Sequence, residues 1–318
     1  MWIIHRVTLL LLLLMTTKTS QGKLLTETGV PSRFLGAPRT VRIYLPPSYE
    51  AEPKRRYPVL YLHDGQNVFS PAGTNSCFGW GSWELDRTVD ELCAAGRMRE
   101  IIMVAVDHSR SRYKEYRGML YPQDGPARKA LRGAGTNALD NARFEAYANF
   151  LIKELKPKID RDYRTLKTAA NTALMGSSLG GICSLGLAWE FPKTFGLAAS
   201  LSGSFHIEAM NFLNCGLRAS AAKRKPIRIY LDSGTVDYTG DDDDRKQTDA
   251  VADELRRLGW KDAKNLQRFT DLRPLHEAEL ERTGLRRDKW PEARTSQHNE
   301  FYWRLRAWRA LVFLFPPP

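Results

Sequence analysis

The stretch NTALMGSSLGGICSLGL, residues 171–187, sets the frame for the rest of the chain. An apolar run, Ala173-Leu174-Met175, ends at Gly176; Ser177, Ser178 and Leu179 lead into Gly180 and Gly181, and apolar residues then resume at helical spacing. This reads as strand, sharp turn, helix. Within it, Gly176-x-Ser178-x-Gly180 has the form of a nucleophile elbow: the serine occupies a strained turn, and the flanking glycines let strand and helix backbones pass closely. Ser178 is therefore the candidate nucleophile.

A serine hydroxyl attacks poorly until a histidine takes its proton, and a carboxylate must hold that histidine in the right tautomer. With this elbow the chain order is serine, acid, histidine, which confines the partners to residues beyond 178. The apolar strand Ile227–Leu231 runs into Asp232-Ser-Gly-Thr-Val-Asp237. Asp232 sits on the strand end, where a carboxylate often only caps a turn. Asp237 lies beyond Gly234 in a loop that can reach back over the sheet, and it is the preferred acid. The run Asp241 to Asp244 reads as a solvated helix start opposing the helix dipole. Two histidines follow, His276 in a charged amphipathic segment and His298 in SQHNEFYW before the terminal helix.

The remaining strands support one sheet. Val41–Leu45 alternates, while Tyr57–Leu62 and Ile101–Val106 are continuous apolar runs of the kind that strands buried on both faces need. Leu197–Leu201 is a further strand, and residues 143–159 carry Phe144, Tyr147, Phe150, Leu151 and Leu155 on one helical face. The expected fold class is α/β: a single domain with a mostly parallel central sheet flanked by helices.

Residues 1–22 stand apart. His5 and Arg6 precede a short apolar run through Met15, and Ser20-Gln21-Gly22 offers small residues for cleavage. This is the form of a secretory signal peptide, and the run is short for a membrane-spanning helix. Residues 23–318 are then the folded domain of a secreted or periplasmic protein with no stable membrane insertion after cleavage. Four cysteines, Cys77, Cys93, Cys183 and Cys215, allow two disulfides in three connectivities; Cys183, behind the elbow, reads as a buried thiol. No spacing suggests a metal site, and no cofactor is expected. The formal charge of +12 is spread along the chain without a nucleic-acid motif, so no nucleic-acid partner is expected; a basic surface instead favours anionic polymers or cell envelopes.

Several further blocks occur in a characteristic order: RIYLPPSY at 42–49, YLHDGQNVF at 61–69, Trp83 and Asp86 in WELDRTVDEL, RYKEY at 112–116 and ELKPKIDRDYRT at 154–165. GSSLGG at 176–181, SLSGSF at 200–205, LDSGTVD at 231–237 and HNEFYW at 298–303 complete the set. With these blocks the chain, from Val41 to Phe315, resembles the putative-esterase family of α/β-hydrolases, which includes feruloyl and acetyl xylan esterases, enterochelin esterases, S-formylglutathione hydrolase and the antigen 85 mycolyltransferases. The resemblance implies the α/β-hydrolase fold and serine-hydrolase chemistry. It matches Asp237 to the family's acid and favours His298 over His276, so that 271–297 reads as an insertion beside the site. It also identifies the loop at Gln66 as the oxyanion loop, with the backbone N–H groups of Gln66 and Leu179 as donors, and puts Asp64 and Trp83 at the substrate. The implied substrate is a small-molecule or polysaccharide ester, feruloyl or acetyl in type. Acyl transfer in the manner of antigen 85 and a catalytically silent binding protein are the alternatives.

Overall fold

Eight strands form one sheet in the order β1-β2-β4-β3-β5-β6-β7-β8. The computed structural model describes residues 21–122, 140–219 and 222–318. The expected signal peptide lies, but for its last two residues, outside them. The strands are β1 (Lys23–Val30), β2 (Arg39–Leu45), β3 (Val59–Leu62), β4 (Ile102–Val106), β5 (Thr172–Ser177), β6 (Leu197–Leu201), β7 (Arg228–Ser233) and β8 (Leu266–Thr270). β1 and β2 pair antiparallel, as do β2 and β4, and the ladder from β4 through β8 is parallel. Every residue of β3, β4, β5 and β6 is buried, as their unbroken apolar runs require when helices cover both faces.

Helices α1 (Leu85–Ala94), α2 (Ala142–Asn149), α3 (Leu179–Glu190) and α4 (Arg245–Arg257) lie on these faces with α6 (Glu300–Leu314), whereas α5 (Glu277–Glu281) belongs to a small cluster apart from the sheet. One core layer sets α2 and α3 against one sheet face, with Phe144, Tyr147, Leu185 and Leu187 fully covered. The other sets α1 and α6 against the opposite face, around Val89, Met175, Ala307 and Leu311. The helix expected over 143–159 continues past α2 through a π-helical stretch, Phe150–Leu155, into Lys156–Asp162. β1 and β8, which carry little apolar patterning, complete the two edges.

Because strands β3 to β8 run the same way, their C-terminal ends gather at one rim. Ser178, the loop after β3 and the loop after β7 therefore meet there, despite lying far apart in sequence.

Candidate active site

The turn after β5 is as tight as its glycines imply. A Cβ on Gly176 would come within 2.7 Å of the Gly180 backbone, and one on Gly181 within 2.6 Å of Ser200 Oγ. Ser178 itself has φ 54° and ψ −123°, a conformation that costs a non-glycine residue energy and is found where surrounding structure enforces it. Its amide donates to Leu201 O at 3.0 Å, which ties the elbow to β6.

His298 Nε2 lies 3.0 Å from Ser178 Oγ, and His298 Nδ1 lies 2.6 Å from Asp243 Oδ1. Serine, histidine and carboxylate thus form one hydrogen-bonded chain. Ser204 Oγ stands 3.1 Å from Ser178 Oγ as a second neighbour. Asn299 caps α6 by accepting from the Tyr302 amide at 3.1 Å, which fixes the preceding His298 at the rim. The Trp303 ring, one turn along α6, packs edge-on to the imidazole at 5.1 Å.

Asp243, not the expected Asp237, faces the imidazole. Asp237 instead closes its own turn: its Oδ1 accepts from the Thr239 amide at 2.8 Å, the Thr239 hydroxyl at 2.7 Å and the Asp241 amide at 3.0 Å. That is the capping role first attributed to Asp232. Asp243 is fully buried. Its Oδ2 accepts from Ser202 Oγ at 2.6 Å and from the Gly234 amide, and Arg306 Nη2 stands 3.7 Å away. The reading of 241–244 as a solvated helix start also changes, since Asp243 is inside and Asp244 binds His206 Nδ1 at 2.5 Å.

Burial acts to raise the Asp243 carboxyl, but the hydrogen bond and charge of His298, followed by Arg306 and Ser202, outweigh it and hold Asp243 below the ordinary carboxylate value. Asp232 is the contrasting case. Burial, only partly offset by Arg306, raises it to about 6, although Arg306 Nε lies 3.0 Å from its Oδ1. Arg306, fully buried, thus serves two carboxylates, and Asp271 lies 3.7 Å from its Nη1. Its Nη2 and Trp303 Nε1 both donate to Ser202 Oγ. Nothing in the sequence singled out Arg306; an arginine in an otherwise apolar stripe of the last helix was its one trace.

A cavity of about 430 Å³ opens over Ser178 and His298. Trp80, Trp83 and Tyr238 give it aromatic walls, while Asp64, Arg112 and Glu300 give it polar ones. The expected substrate residues Asp64 and Trp83 both line it. Asp64 is held by Arg112 through two hydrogen bonds of 2.7 and 2.8 Å, and Trp83 packs on Trp303 at 5.8 Å. His63 lies beneath, with Nδ1 2.9 Å from the Tyr147 hydroxyl, and burial lowers it to about 4, so it stays neutral.

Gln66 sits in the short 3₁₀ turn Gly65–Asn67, and its side-chain Oε1 accepts from the His108 amide at 3.2 Å. Leu179 is the first residue of α3. The amides of both therefore open helical turns, where no intrahelical acceptor is available. Neither residue is among those lining the cavity, whose wall at the first loop comes from Asp64, Asn67 and Val68. His276 is exposed at the start of α5, its amide bound to Glu279 Oε2 at 2.8 Å. Among the described residues, no disulfide joins the cysteines, no cluster of three or more His, Cys, Asp or Glu could hold a metal ion, and no helix is long and apolar enough to cross a membrane.

Comparison with known proteins places the chain in a family. Residues 32–306 match the family model described as "Putative esterase". A solved ferulic acid esterase superposes with TM-score 0.62 at 18% identity, covering 93% of this chain and 98% of that one. The enterobactin esterase of Shigella flexneri superposes with TM-score 0.61 at 16% identity, covering 92% and 59%. Among curated proteins, the uncharacterized protein YjcH of Bacillus subtilis is 27% identical over 165 residues, 52% of this chain and 55% of that protein. The endo-1,4-beta-xylanase/feruloyl esterase of Xylanibacter ruminicola is 27% identical over 187 residues, 55% of this chain and 21% of its length.

Proposed function

The chain belongs to the putative-esterase family; from that premise we propose that it is a carboxylic-ester hydrolase that works through Ser178, His298 and Asp243 on esters of acylated carbohydrates. The observation that carries this reading is the continuous contact from Ser178 Oγ to His298 Nε2, 3.0 Å, and from His298 Nδ1 to Asp243, 2.6 Å.

As Ser178 Oγ attacks the ester carbonyl, His298 Nε2 accepts its proton, and the alkoxide charge that develops on the carbonyl oxygen is met by the Leu179 and Gln66 amides. Collapse of the tetrahedral intermediate breaks the ester C–O bond, and His298 returns the proton to the leaving alcohol. Water, deprotonated by His298, then attacks the acyl-enzyme and frees Ser178. Asp243, kept ionised by its hydrogen bonds and by Arg306, orients the imidazole and balances its charge. The chemistry assigned to these residues requires no cofactor.

The aromatic walls at Trp80, Trp83 and Tyr238 suit a planar acyl group such as a feruloyl, and Asp64, Arg112 and Glu300 suit a hydroxyl-bearing alcohol. The relatives whose names include feruloyl or ferulic acid esterase support the same class. The leader-like 1–22 segment supports secretion to where such polymers occur.

Treatment with a fluorophosphonate followed by peptide mapping tests the proposal. The label is expected on Ser178, and Ser178→Ala should lose hydrolysis of p-nitrophenyl acetate by several orders of magnitude while retaining its melting temperature. Label on another residue, or a folded Ser178→Ala protein with near wild-type activity, would overturn it. Acyl transfer would show as an acylated sugar product when a free sugar is added.

A further inference from the structure

Ser178 stands where β5 ends; a second groove, of about 480 Å³, lies at the opposite end of the sheet, where β7 and β8 begin. Arg228, Lys264 and Arg309 line it together with Phe269, Trp308 and Phe313. Arg97 joins the same cluster over the Trp308 ring at 4.7 Å, and Arg99, just before β4, is close enough for the Arg228 charge to act on it. Burial first, and then Arg228, lowers the Arg99 guanidinium from its ordinary value.

Five cations thus gather without a carboxylate among them. Arg99 donates to Asn171 Oδ1 at 3.2 Å, and Arg228 to the Phe313 carbonyl at 3.2 Å; both acceptors are neutral. Arg97 and Arg309 rest on the Trp308 ring, and Arg309 lies 4.0 Å over Phe269. The nearby Asp262 is occupied by Arg256 at 2.9 Å. Among the described residues, no ion pair engages any of the five. Like charges held this close repel, and a polyanion in the groove would relieve that repulsion.

We propose that this groove binds an acidic polysaccharide, a polymer of hexuronate units, and holds it on the enzyme at a distance from the ester-cleaving site. Three features select that ligand. Arg97 and Arg309 sit over aromatic rings and engage in no ion pair among the described residues, so their donors remain free to fork onto planar carboxylates. The ring faces they cover are then closed to stacking nucleobases, which single-stranded nucleic acid would need. Among the described residues, the exposed large apolar ones, Phe78, Tyr113, Tyr238, Leu272 and Leu305, all lie outside the groove, and Trp308, Val312 and Phe313 within it are only partly exposed, so no fully exposed apolar side chain stands out as a wedge into a lipid surface. The choice of a carbohydrate polymer rests on the proposed function, whereas the binding itself does not depend on the triad.

The test therefore uses full-length Ser178→Ala protein and polygalacturonate. Binding is expected at low ionic strength, with release as salt rises, and little binding to the same polymer after methyl esterification has removed its charge. Adding Arg97→Glu, Lys264→Glu and Arg228→Gln should weaken binding by about tenfold or more. The same three changes with Ser178 intact should leave p-nitrophenyl acetate hydrolysis unchanged, showing that the fold survives. The proposal is overturned if polygalacturonate does not bind, if the triple variant binds equally well, or if single-stranded DNA or phosphatidylglycerol vesicles bind as tightly as the polymer through the same residues.

Discussion

Asp237 and Asp243 lie in one loop, yet only one can serve the imidazole. Asp237 spends its acceptors on Thr239 and Asp241, whereas Asp243 aims one oxygen at His298 and anchors the other on Ser202 and Gly234. Asp243→Asn is expected to lower kcat on p-nitrophenyl acetate by roughly 10³–10⁴-fold, as when a triad acid can no longer fix the tautomer. Asp237→Asn should leave kcat close to wild type; the reverse pattern would return the acid role to Asp237. Arg306 is bound up with the same carboxylates. Arg306→Met leaves two buried acids without their cation, and unfolding by urea should show a loss on the order of 3–5 kcal/mol. Arg306→Lys, which keeps the charge, should recover part of that loss.

Helix α6 is the element on which the site depends. Its cap positions His298, Trp303 on its first turn packs on the imidazole and Trp83, and Arg306 reaches the acid loop. The segment 271–297 packs against the start of the same helix. Leu280, Leu285 and Ala293 form a small apolar cluster with Trp80, Phe301 and Tyr302, and the Tyr302 hydroxyl accepts from the Leu275 amide and donates to the Ala293 carbonyl, both at 2.7 Å. Trp80 belongs at once to this cluster and to the cavity wall, and Glu292 reaches the cavity from the segment itself. Leu280→Ala should therefore cost about 2–5 kcal/mol, read as a lower melting temperature. It should also raise KM for a feruloyl ester while leaving p-nitrophenyl acetate turnover unchanged, because the small ester does not need that wall. Equal KM values for the bulky ester would separate 271–297 from substrate binding.

At the scale of the whole molecule, two buried groups pull stability in opposite directions with pH. His63 is lowered from 6.5 to about 4, so the unfolded chain takes up a proton across that window while the folded one does not. Its contribution is full above 6.5 and is lost as pH falls towards 4, about 3 kcal/mol in all. Asp232 is raised from 3.8 to about 6, so the folded state holds the extra proton, and stability falls as pH rises through that range. Comparing melting temperatures of wild type and His63→Gln from pH 4 to 6.5 isolates the first contribution. Wild type should gain on the variant as pH rises; a constant difference would mean that His63 is not held neutral by burial.

Much of this molecule is decided by local sequence. The apolar runs of β3, β4, β5 and β6 can be satisfied only in a sheet covered on both faces, and the turn at Ser178 tolerates only glycine at Gly176, where the Gly180 backbone leaves no room for a Cβ. Edge strands β1 and β8 were not legible, because half-exposed strands carry little of the apolar pattern that marks a buried one. His298 could be picked out by its place before the last helix, and the structure sets it, rather than His276, against Ser178. The acid could not be picked out. Asp232, Asp237 and Asp241 to Asp244 offer the same carboxylate within one loop, and nothing local distinguishes a carboxylate that caps a turn from one that meets an imidazole. That choice belongs to the tertiary structure, which buries Asp243 beside Ser202, Arg306 and His298 and leaves Asp237 facing its own loop; a buried charge is tolerated only where such partners converge from distant parts of the chain.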